Sequence, residues 1–502
     1  MTSVWTRALL LGTAFAWPAW GSAEAQGYRL RLDSRAQRVS YRGVTPDSIP
    51  ATQTVTAPTG GRQTPDGFAV RCPPGGAHCF FFRPGPEVRG GPMVTSGDLT
   101  LWGLGLRGLS VRMNARVGVD LGDSDVWPGI EPAVQLVEAY AEYAQRIFTA
   151  RGGRQLLVNR LGIVGFDGGR VTAREGRYGF DGDAYVGLGL ARATALPVSS
   201  PVLNPLDDFQ PRRRQILAGA GVGWSGRNID LRLDYQREVD RDSRNFVSER
   251  AALSLDFRPL RRWALTAGLD YDLANTWFGN ADAVVRYTTP WITVAGGLRQ
   301  YRPHFDLWTI WGAFSPVPYH AAHTAVWVRP VPQVELRGRW ERYAFSETET
   351  ETPLVAVDDD GWRLGVGITY SPDPAWTLDA GYREEYGPGA SSNGFEGAVT
   401  FVPRSTLSLT AYGSTLDRPL EFRFEEASVD ALGLDAEWSP TSRLRIGVGA
   451  VRYDEVRERP DAAAFDWDQT RLHARVTLLL RSDTDAVPLP PALRVRPRAG
   501  SR

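Results

Sequence analysis

The sequence contains no lysine, only two cysteines and, after its first 25 positions, no apolar run that approaches 18 residues. Because a membrane-spanning helix needs roughly 20 apolar residues, a membrane protein built from helices is excluded. The two cysteines provide neither a CxxCH haem-attachment motif nor the paired spacing of a zinc finger. The 57 basic residues, all arginines, balance 57 acidic ones among 502 positions, which argues against a nucleic-acid-binding protein.

Residues 1–25 have the features of a secretory signal peptide. Arg7 provides a positive charge ahead of an apolar segment at residues 8–20, and residues 23–25 (AEA) fit a small-x-small cleavage site. The apolar segment is too short to cross a membrane. We therefore expect a secreted chain that begins near Gln26; an uncleaved anchor helix is the alternative.

From about residue 98 onward, apolar and polar residues alternate with period two in segments separated by turn residues. In one such segment Ile229, Leu231 and Leu233 alternate with Asp230 and Arg232. This alternation is typical of a β-strand with one apolar and one polar face. A half-buried sheet of a soluble protein would show the same pattern, so length and turns must distinguish the two.

Strand length and turn composition both favour a membrane barrel. The segments run for about 9–12 residues, which suits a tilted membrane strand, whereas soluble strands average about 5–6 residues. An aromatic residue, any residue and a proline recur at segment ends, as in Phe257–Pro259, Tyr370–Pro372 and Phe401–Pro403. Proline fits a turn because it needs no ladder hydrogen bond. Aromatic residues near these turns predict an interfacial girdle: Phe257, Trp263, Tyr287, Trp291, Tyr370, Trp376, Phe401 and Trp438.

The connections that alternate with the proline turns are long and polar, as in residues 346–360 (SETETETPLVAVDDD). Short turns on one side and long loops on the other are typical of outer-membrane barrels, with the short turns periplasmic. We therefore predict an all-β protein: a transmembrane up-and-down antiparallel β-barrel over residues 98–482. An even number of strands, about 18–20, is expected. A soluble β-sandwich or solenoid is the rival fold.

The two ends of the chain differ from this pattern. Residues 26–97 are rich in Pro, Gly and Thr, and we interpret them as a pre-barrel segment that is periplasmic or folded into the lumen. Cys72 and Cys79 are expected to form a local disulfide there, because the periplasm is oxidising; a reactive or metal-binding pair is the alternative. Residues 483–502 form a Pro/Arg-rich tail that we expect to be disordered.

The polar face of each strand should line the lumen, because an arginine facing lipid at mid-bilayer costs about 2–4 kcal/mol. These charges could form a polar permeation path, or they could simply neutralise each other across strands. The run Glu335-x-Arg337-x-Arg339-x-Glu341 is the densest and is our candidate for a constriction or lumen network. The inward candidates are Asp230, Arg232, Asp234, Asp256, Asp270, Arg286, Glu335, Arg337, Arg339, Glu341, Arg363, Asp379, Arg383, Glu437, Arg445 and Arg475.

One short stretch resembles a known family. The pattern GRQ at 153–155, RLG at 160–162 and FDG at 166–168 is similar to that of alginate-export-like porin barrels. The resemblance covers about 16 residues and implies an arginine-lined barrel that passes an anionic polysaccharide. At the matched positions it implies lumen roles for Arg154, Gln155 and Asp167.

We expect no enzyme, cofactor or metal site. His320 and His323 are three apart on a predicted strand and face opposite sides, and no G-x-S-x-G motif is present. The sequence therefore predicts a porin-like channel in the outer membrane of a Gram-negative bacterium, open to polar or charged solutes. There are two alternatives: a barrel that houses a partner such as a periplasmic multihaem cytochrome, and an outer-membrane enzyme. The expected partners are outer-membrane lipid, small polar solutes or oligosaccharides, the barrel-assembly machinery and a periplasmic protein, but no nucleic acid.

Overall fold

In the computed structural model of the chain, the structure describes residues 27–56, 60–122, 134–190, 215–242, 244–302, 319–346, 360–387, 390–418, 427–457 and 466–482. The predicted signal peptide and C-terminal tail lie outside these ranges. Within them no helix is long and apolar enough to cross a membrane, and one short 3-10 helix occurs at Ala51–Gln53. The strands are β1 (Gly27–Pro50), β2 (Val55–Thr56), β3 (Arg62–Gln63), β4 (His78–Gly90), β5 (Pro92–Trp102), β6 (Leu109–Asp120), β7 (Val134–Ala144), β8 (Phe148–Asn159), β9 (Gly162–Glu175), β10 (Phe180–Gly189), β11 (Ile216–Ser225), β12 (Ile229–Val239), β13 (Phe246–Leu260), β14 (Trp263–Asp272), β15 (Trp277–Thr288), β16 (Ile292–Tyr301), β17 (Tyr319–Val331), β18 (Val334–Phe345), β19 (Asp360–Tyr370), β20 (Trp376–Gly387), β21 (Ala390–Arg404), β22 (Leu407–Arg418), β23 (Ala427–Thr441), β24 (Leu444–Arg457) and β25 (Trp467–Arg481).

The main sheet closes on itself as an antiparallel barrel of 22 strands, β1 and β5–β25. The seam is made by β1 and β25, which pair from Arg29↔Arg481 to Arg38↔Leu472. On its other side β1 pairs with β5. This confirms the predicted all-β, up-and-down barrel with an even number of strands. Strands β6–β25 alone match the upper end of the predicted number, and β1 and β5 complete the ring.

The predicted boundary at residue 98 does not hold, because β1 and the whole of β5 are wall strands. Their sequence explains this placement. Tyr28, Leu30 and Leu32 alternate with Arg29 and Arg31, the same period-two pattern found in the later strands. The proline- and glycine-rich composition of residues 26–97 as a whole concealed this short periodic segment.

The second half of β1 leaves the barrel and pairs with β4 as a two-stranded ribbon, from Val39↔Gly90 to Pro50↔His78. The ribbon rises from the end of the barrel opposite the short turns, whose connections are two to six residues long. Cys72 and Cys79 form a disulfide near its tip, with their Cα atoms 4.2 Å apart. This part of the chain is therefore an extension of a wall strand rather than a separate pre-barrel domain.

The outer face of the wall is apolar. Along β23, for example, Leu432 and Leu434 point outward, and 65% of Leu434 is exposed. Rows of exposed leucine and valine side chains would be unfavourable in water but are suited to contact with lipid chains.

The eight aromatic residues predicted to form a girdle lie at the short-turn end of the barrel. Several of them contact each other across neighbouring strands. The rings of Trp376 and Phe401 are 4.3 Å apart and stacked, and those of Trp263 and Tyr287 are 4.9 Å apart. This arrangement is what an interfacial aromatic belt requires.

The outward face predicts how the barrel responds to charge. Replacing the outward residue Leu434 with Arg should lower the free energy of unfolding by about 2–4 kcal/mol, because the guanidinium would face hydrocarbon. Reversible denaturant unfolding in lipid vesicles would measure this change. The matched variant Ser414→Arg, which places the same charge on an exposed inward position, should change stability by less than about 1 kcal/mol. Equal losses for both variants would contradict the assignment of faces.

Candidate functional site: the charged lumen

The inner wall contains ion pairs that join strands which are not neighbours. Arg232 on β12 reaches across β11 to Asp183 on β10, with 2.5 Å between Nη2 and Oδ1, and also contacts Asp181 at 3.2 Å. The intervening inward position on β11 is Gly221, where a Cβ atom would lie 2.4 Å from Arg232 Nη2. The missing side chain is therefore what allows the guanidinium to cross.

The same arrangement occurs on other parts of the wall. Arg337 on β18 crosses Gly367 on β19 to pair with Asp379 on β20, through two contacts of 2.6 and 2.9 Å. His473 on β25 crosses β24 at a glycine to reach Asp435 on β23, with 2.7 Å between Nε2 and Oδ1. Some of the inward polar side chains thus connect strands that are not neighbours.

The predicted run from Glu335 to Glu341 does not form one network. Glu335 pairs with Arg329 near the short-turn end, with 2.6 Å between Oε2 and Nε. Glu341 accepts from Arg299 at 2.5 Å and from Arg363 at 2.9 Å. Together with the Arg337–Asp379 pair, these are three separate groups rather than a ring around the lumen.

Two inward arginines on neighbouring parts of the wall, Arg339 and Arg383, have no ion pair among the described residues. Arg339 and Arg383 face each other across Gly365, which lies between them in register on β19. Both side chains are exposed to the lumen. Arg286 on β15 also has no ion pair among the described residues, so these three members of the predicted set have charges that the described part of the wall does not pair.

Part of the wall turns into the lumen. Pairing of β8 with β7 ends at Arg154↔Ala139, and pairing of β9 with β10 ends at Phe166↔Gly189. From these points the two strands continue as a tight hairpin, paired from Gln155↔Phe166 to Asn159↔Gly162, and we call residues 155–166 the lumen hairpin.

The bend begins at Gly153, whose φ of 128° is unfavourable for other residues. A Cβ atom there would lie 2.3 Å from the carbonyl oxygen of Ala139. Glycine is therefore required where β8 passes close to the backbone of β7.

One face of the lumen hairpin packs against the inner wall. Leu157 and Phe166 form a buried cluster with Tyr185 on β10 and Leu217 on β11. The rings of Phe166 and Tyr185 are 5.5 Å apart. Burying a side chain such as Leu or Phe stabilises by about 1.5–3 kcal/mol, so this cluster holds the hairpin against β10 and β11.

The tip of the lumen hairpin reaches strands much later in the chain. Arg160 pairs with Asp282 on β15, and Arg250 on β13 donates to the carbonyl oxygen of Leu161 at 2.9 Å. The hairpin is thus fixed at its base and at its tip, and it narrows the lumen on one side.

The residues singled out by the family resemblance lie at the base of the lumen hairpin. Arg154 and Asp167 form a bidentate pair, with 2.7 Å between Nε and Oδ1 and 2.9 Å between Nη2 and Oδ2. Gln155 is buried between hairpin and wall and donates to the carbonyl oxygen of Gly168 at 3.1 Å. These side chains therefore shape the hairpin, and Gln155 is not exposed to the lumen.

A cavity of ≈ 1210 Å³ lies on the inner face of β25, β1, β5 and β6. Val137 of β7 and Leu156 of the lumen hairpin close it on one side. Its lining is strongly basic, with only Asp33 and Asp98 as acidic members, and we call it the basic pocket. Its arginines are Arg29, Arg31, Arg35, Arg112, Arg116 and Arg475.

The carboxylates of the basic pocket are shared among several arginines. Asp33 contacts Arg475 at 2.5 Å, Arg35 at 3.1 Å and Arg31 at 3.8 Å. Arg112 contacts Asp98 at 2.9 Å, and Glu138, just outside the lining, at 3.7 Å. The pocket therefore keeps a positive excess after all its internal pairs are made.

Sequence reasoning found only Arg475 among these six arginines. The other five belong to β1 and to β6, and residues 26–97 had been set apart from the barrel. The alternation of Arg29, Arg31 and Arg35 with apolar or small residues was the signal that could have revealed most of them. Within the described part of the chain, no cluster of three His, Cys, Asp or Glu side chains could hold a metal ion.

No protein-family model matches the chain, and no curated protein does. Several solved structures are similar to it. A mutant of the ferric enterobactin receptor PfeA from Pseudomonas aeruginosa, in complex with enterobactin, is 10% identical over 91% of this chain and 82% of its own, with a TM-score of 0.53. OccAB2 from Acinetobacter baumannii is 10% identical over 92% of this chain and 100% of its own, with a TM-score of 0.40. OccK3 (OpdO) from Pseudomonas aeruginosa is 9% identical over 90% of this chain and 96% of its own, with a TM-score of 0.39.

The apolar outer face, the charged inner face and the closed 22-strand wall define the class of protein: an outer-membrane β-barrel. The similarity to PfeA supports this fold and says nothing of cargo. The resemblance to alginate-export-like barrels is not supported by these comparisons.

The packing of the lumen hairpin makes a stability prediction. Phe166→Ala should lower the free energy of unfolding by about 3–5 kcal/mol, because it removes a fully buried ring from the cluster that holds the hairpin. Denaturant unfolding in detergent or lipid would measure the loss. Val158→Ala on the exposed face of the same hairpin should change it by less than about 0.5 kcal/mol. A small effect of Phe166→Ala would show that the hairpin is not packed on the wall.

Proposed function

We propose that this protein is an outer-membrane channel through which polar and charged solutes pass by diffusion. The observation that carries the proposal is the lumen itself: a 22-strand wall whose inner face is charged and holds a wide polar cavity. A barrel of this size encloses a lumen wide enough for water unless it is filled. The role is non-enzymatic, in keeping with the porins and receptors that share the fold.

The orientation follows from the lengths of the connections. We place the short-turn end in the periplasm and the ribbon of β1 and β4 outside the cell, as is typical of outer-membrane barrels. The aromatic belt around Trp376 and Phe401 then lies at the periplasmic interface of the membrane. The disulfide between Cys72 and Cys79, near the tip of the ribbon, fits an oxidising compartment.

Single-channel recording in planar bilayers tests the channel directly. The purified full-length protein should give steady conductance steps, because water and ions can enter a lumen lined by charge. Heat-modifiable migration on gels would verify that the inserted protein is a folded barrel. A folded barrel that inserts into the bilayer but gives no conductance would contradict the channel and favour the alternative of a barrel that houses a partner.

The contacts of the lumen hairpin should determine how strongly the current of the open channel fluctuates. Arg160→Ala removes the pair with Asp282 and leaves the hydrogen bond from Arg250 as the other contact of the tip described above, so current fluctuations of the open state should increase at least about twofold. Arg383→Ala removes the same charge from the lumen without breaking an ion pair, and it should leave the fluctuations unchanged. Equal noise in both variants would show that the tip contact does not hold the hairpin.

A further inference from the structure

We propose that the basic pocket is a binding site for small polyvalent oxyanions, such as di- and tricarboxylates. The inference rests on the proposed channel, because an anion must enter the lumen to reach the pocket. It goes further than that function by naming the solute class and the residues that hold it.

The first argument is the imbalance of charge within the cavity. Six arginines line it against two aspartates. Three of the arginines converge on the single carboxylate of Asp33, and Arg112 uses Asp98. Arg29 and Arg116 form no ion pair among the described residues, so their guanidinium groups are free to donate to a solute.

The second argument is geometry. The arginines come from both sides of the seam, on β25, β1 and β6, and they face one cavity of ≈ 1210 Å³. That volume exceeds the roughly 300–1,000 Å³ of common small-molecule sites, so a multiply charged organic anion and its water fit inside it. Guanidinium groups bind carboxylate and phosphate through paired hydrogen bonds.

The third argument is the polarity of the remaining lining. Ser96, Thr100, Asn114 and Gln37 add neutral hydrogen-bonding groups between the charges. Leu156 of the lumen hairpin provides an apolar boundary on one side. A site with several cations, neutral donors and one apolar side favours a small organic anion over a bare inorganic cation, which the arginines would repel.

Isothermal titration of citrate into the detergent-solubilised full-length protein, at low salt where surface charge is least screened, tests the site. The wild-type protein should bind citrate. The double variant Arg29→Gln/Arg116→Gln removes the two arginines that have no ion pair, so the barrel should fold and citrate should bind about tenfold or more weakly, since each charge-assisted contact is strong. Heat-modifiable migration would verify folding.

The matched control is Arg339→Gln/Arg383→Gln, which removes two unpaired lumen arginines from another part of the wall. It should leave the citrate affinity within about twofold of wild type. Absence of citrate binding to the wild-type protein, or an equal loss in both double variants, would overturn the proposal. The titration does not depend on conductance, so the two proposals can fail separately. A barrel that conducts ions but does not bind citrate would contradict this site alone. A barrel that binds citrate but gives no conductance would contradict the channel alone.

Discussion

Ion pairs that join strands which are not neighbours must cross the strand between them, and in two of these pairs that strand has a glycine at the crossing point. Neighbouring strands lie about 4.8 Å apart, so the next strand but one is about 10 Å away. An arginine covers that distance most directly where no side chain stands in between. At Gly221 and Gly367 this gap lets Arg232 and Arg337 brace three strands at once. The glycines therefore allow these inward charges to be neutralised by the wall, whereas Arg339, which also faces a glycine, has no ion pair among the described residues.

The faces of the strands could be predicted from the sequence, but the partners of the charges could not. The period-two alternation places Arg232 and Arg337 on the inward face, because a charge that faces hydrocarbon is costly. Their partners lie two strands away, however, and pairing at that distance depends on the register of three strands and on the glycine between. A single sequence does not show register, so the run from Glu335 to Glu341 looked like one network.

The lumen hairpin illustrates a second limit. Residues 155–166 have the composition of an ordinary strand pair, and their departure from the wall is visible only where their neighbours stop pairing with them. The family resemblance drew attention to Arg154, Gln155 and Asp167 without showing that they form the base of a structure inside the barrel. Gly153 was the local signal, because its close approach to Ala139 excludes any side chain.

The neutral charge of the whole chain conceals a separation of charge within the lumen. The basic pocket gathers six arginines around Asp33 and Asp98, whereas β10 and β12 concentrate carboxylates such as Asp181, Asp183 and Asp234 around Arg232. The net charge of the chain therefore does not predict which solutes enter the barrel, because a solute experiences the local electrostatic field of the part of the wall that it approaches.

The seam between β1 and β25 joins the two ends of the barrel sequence: Asp33 and Arg475 are 442 residues apart. Contacts so distant in sequence form late, because a long loop must close before they are made. The first wall strand therefore pairs with the last only at a late step, and the basic pocket is complete only when the two strands meet. Closure of the ring adds Arg475 to the five arginines of β1 and β6, so an open or misregistered barrel would lack one side of the pocket.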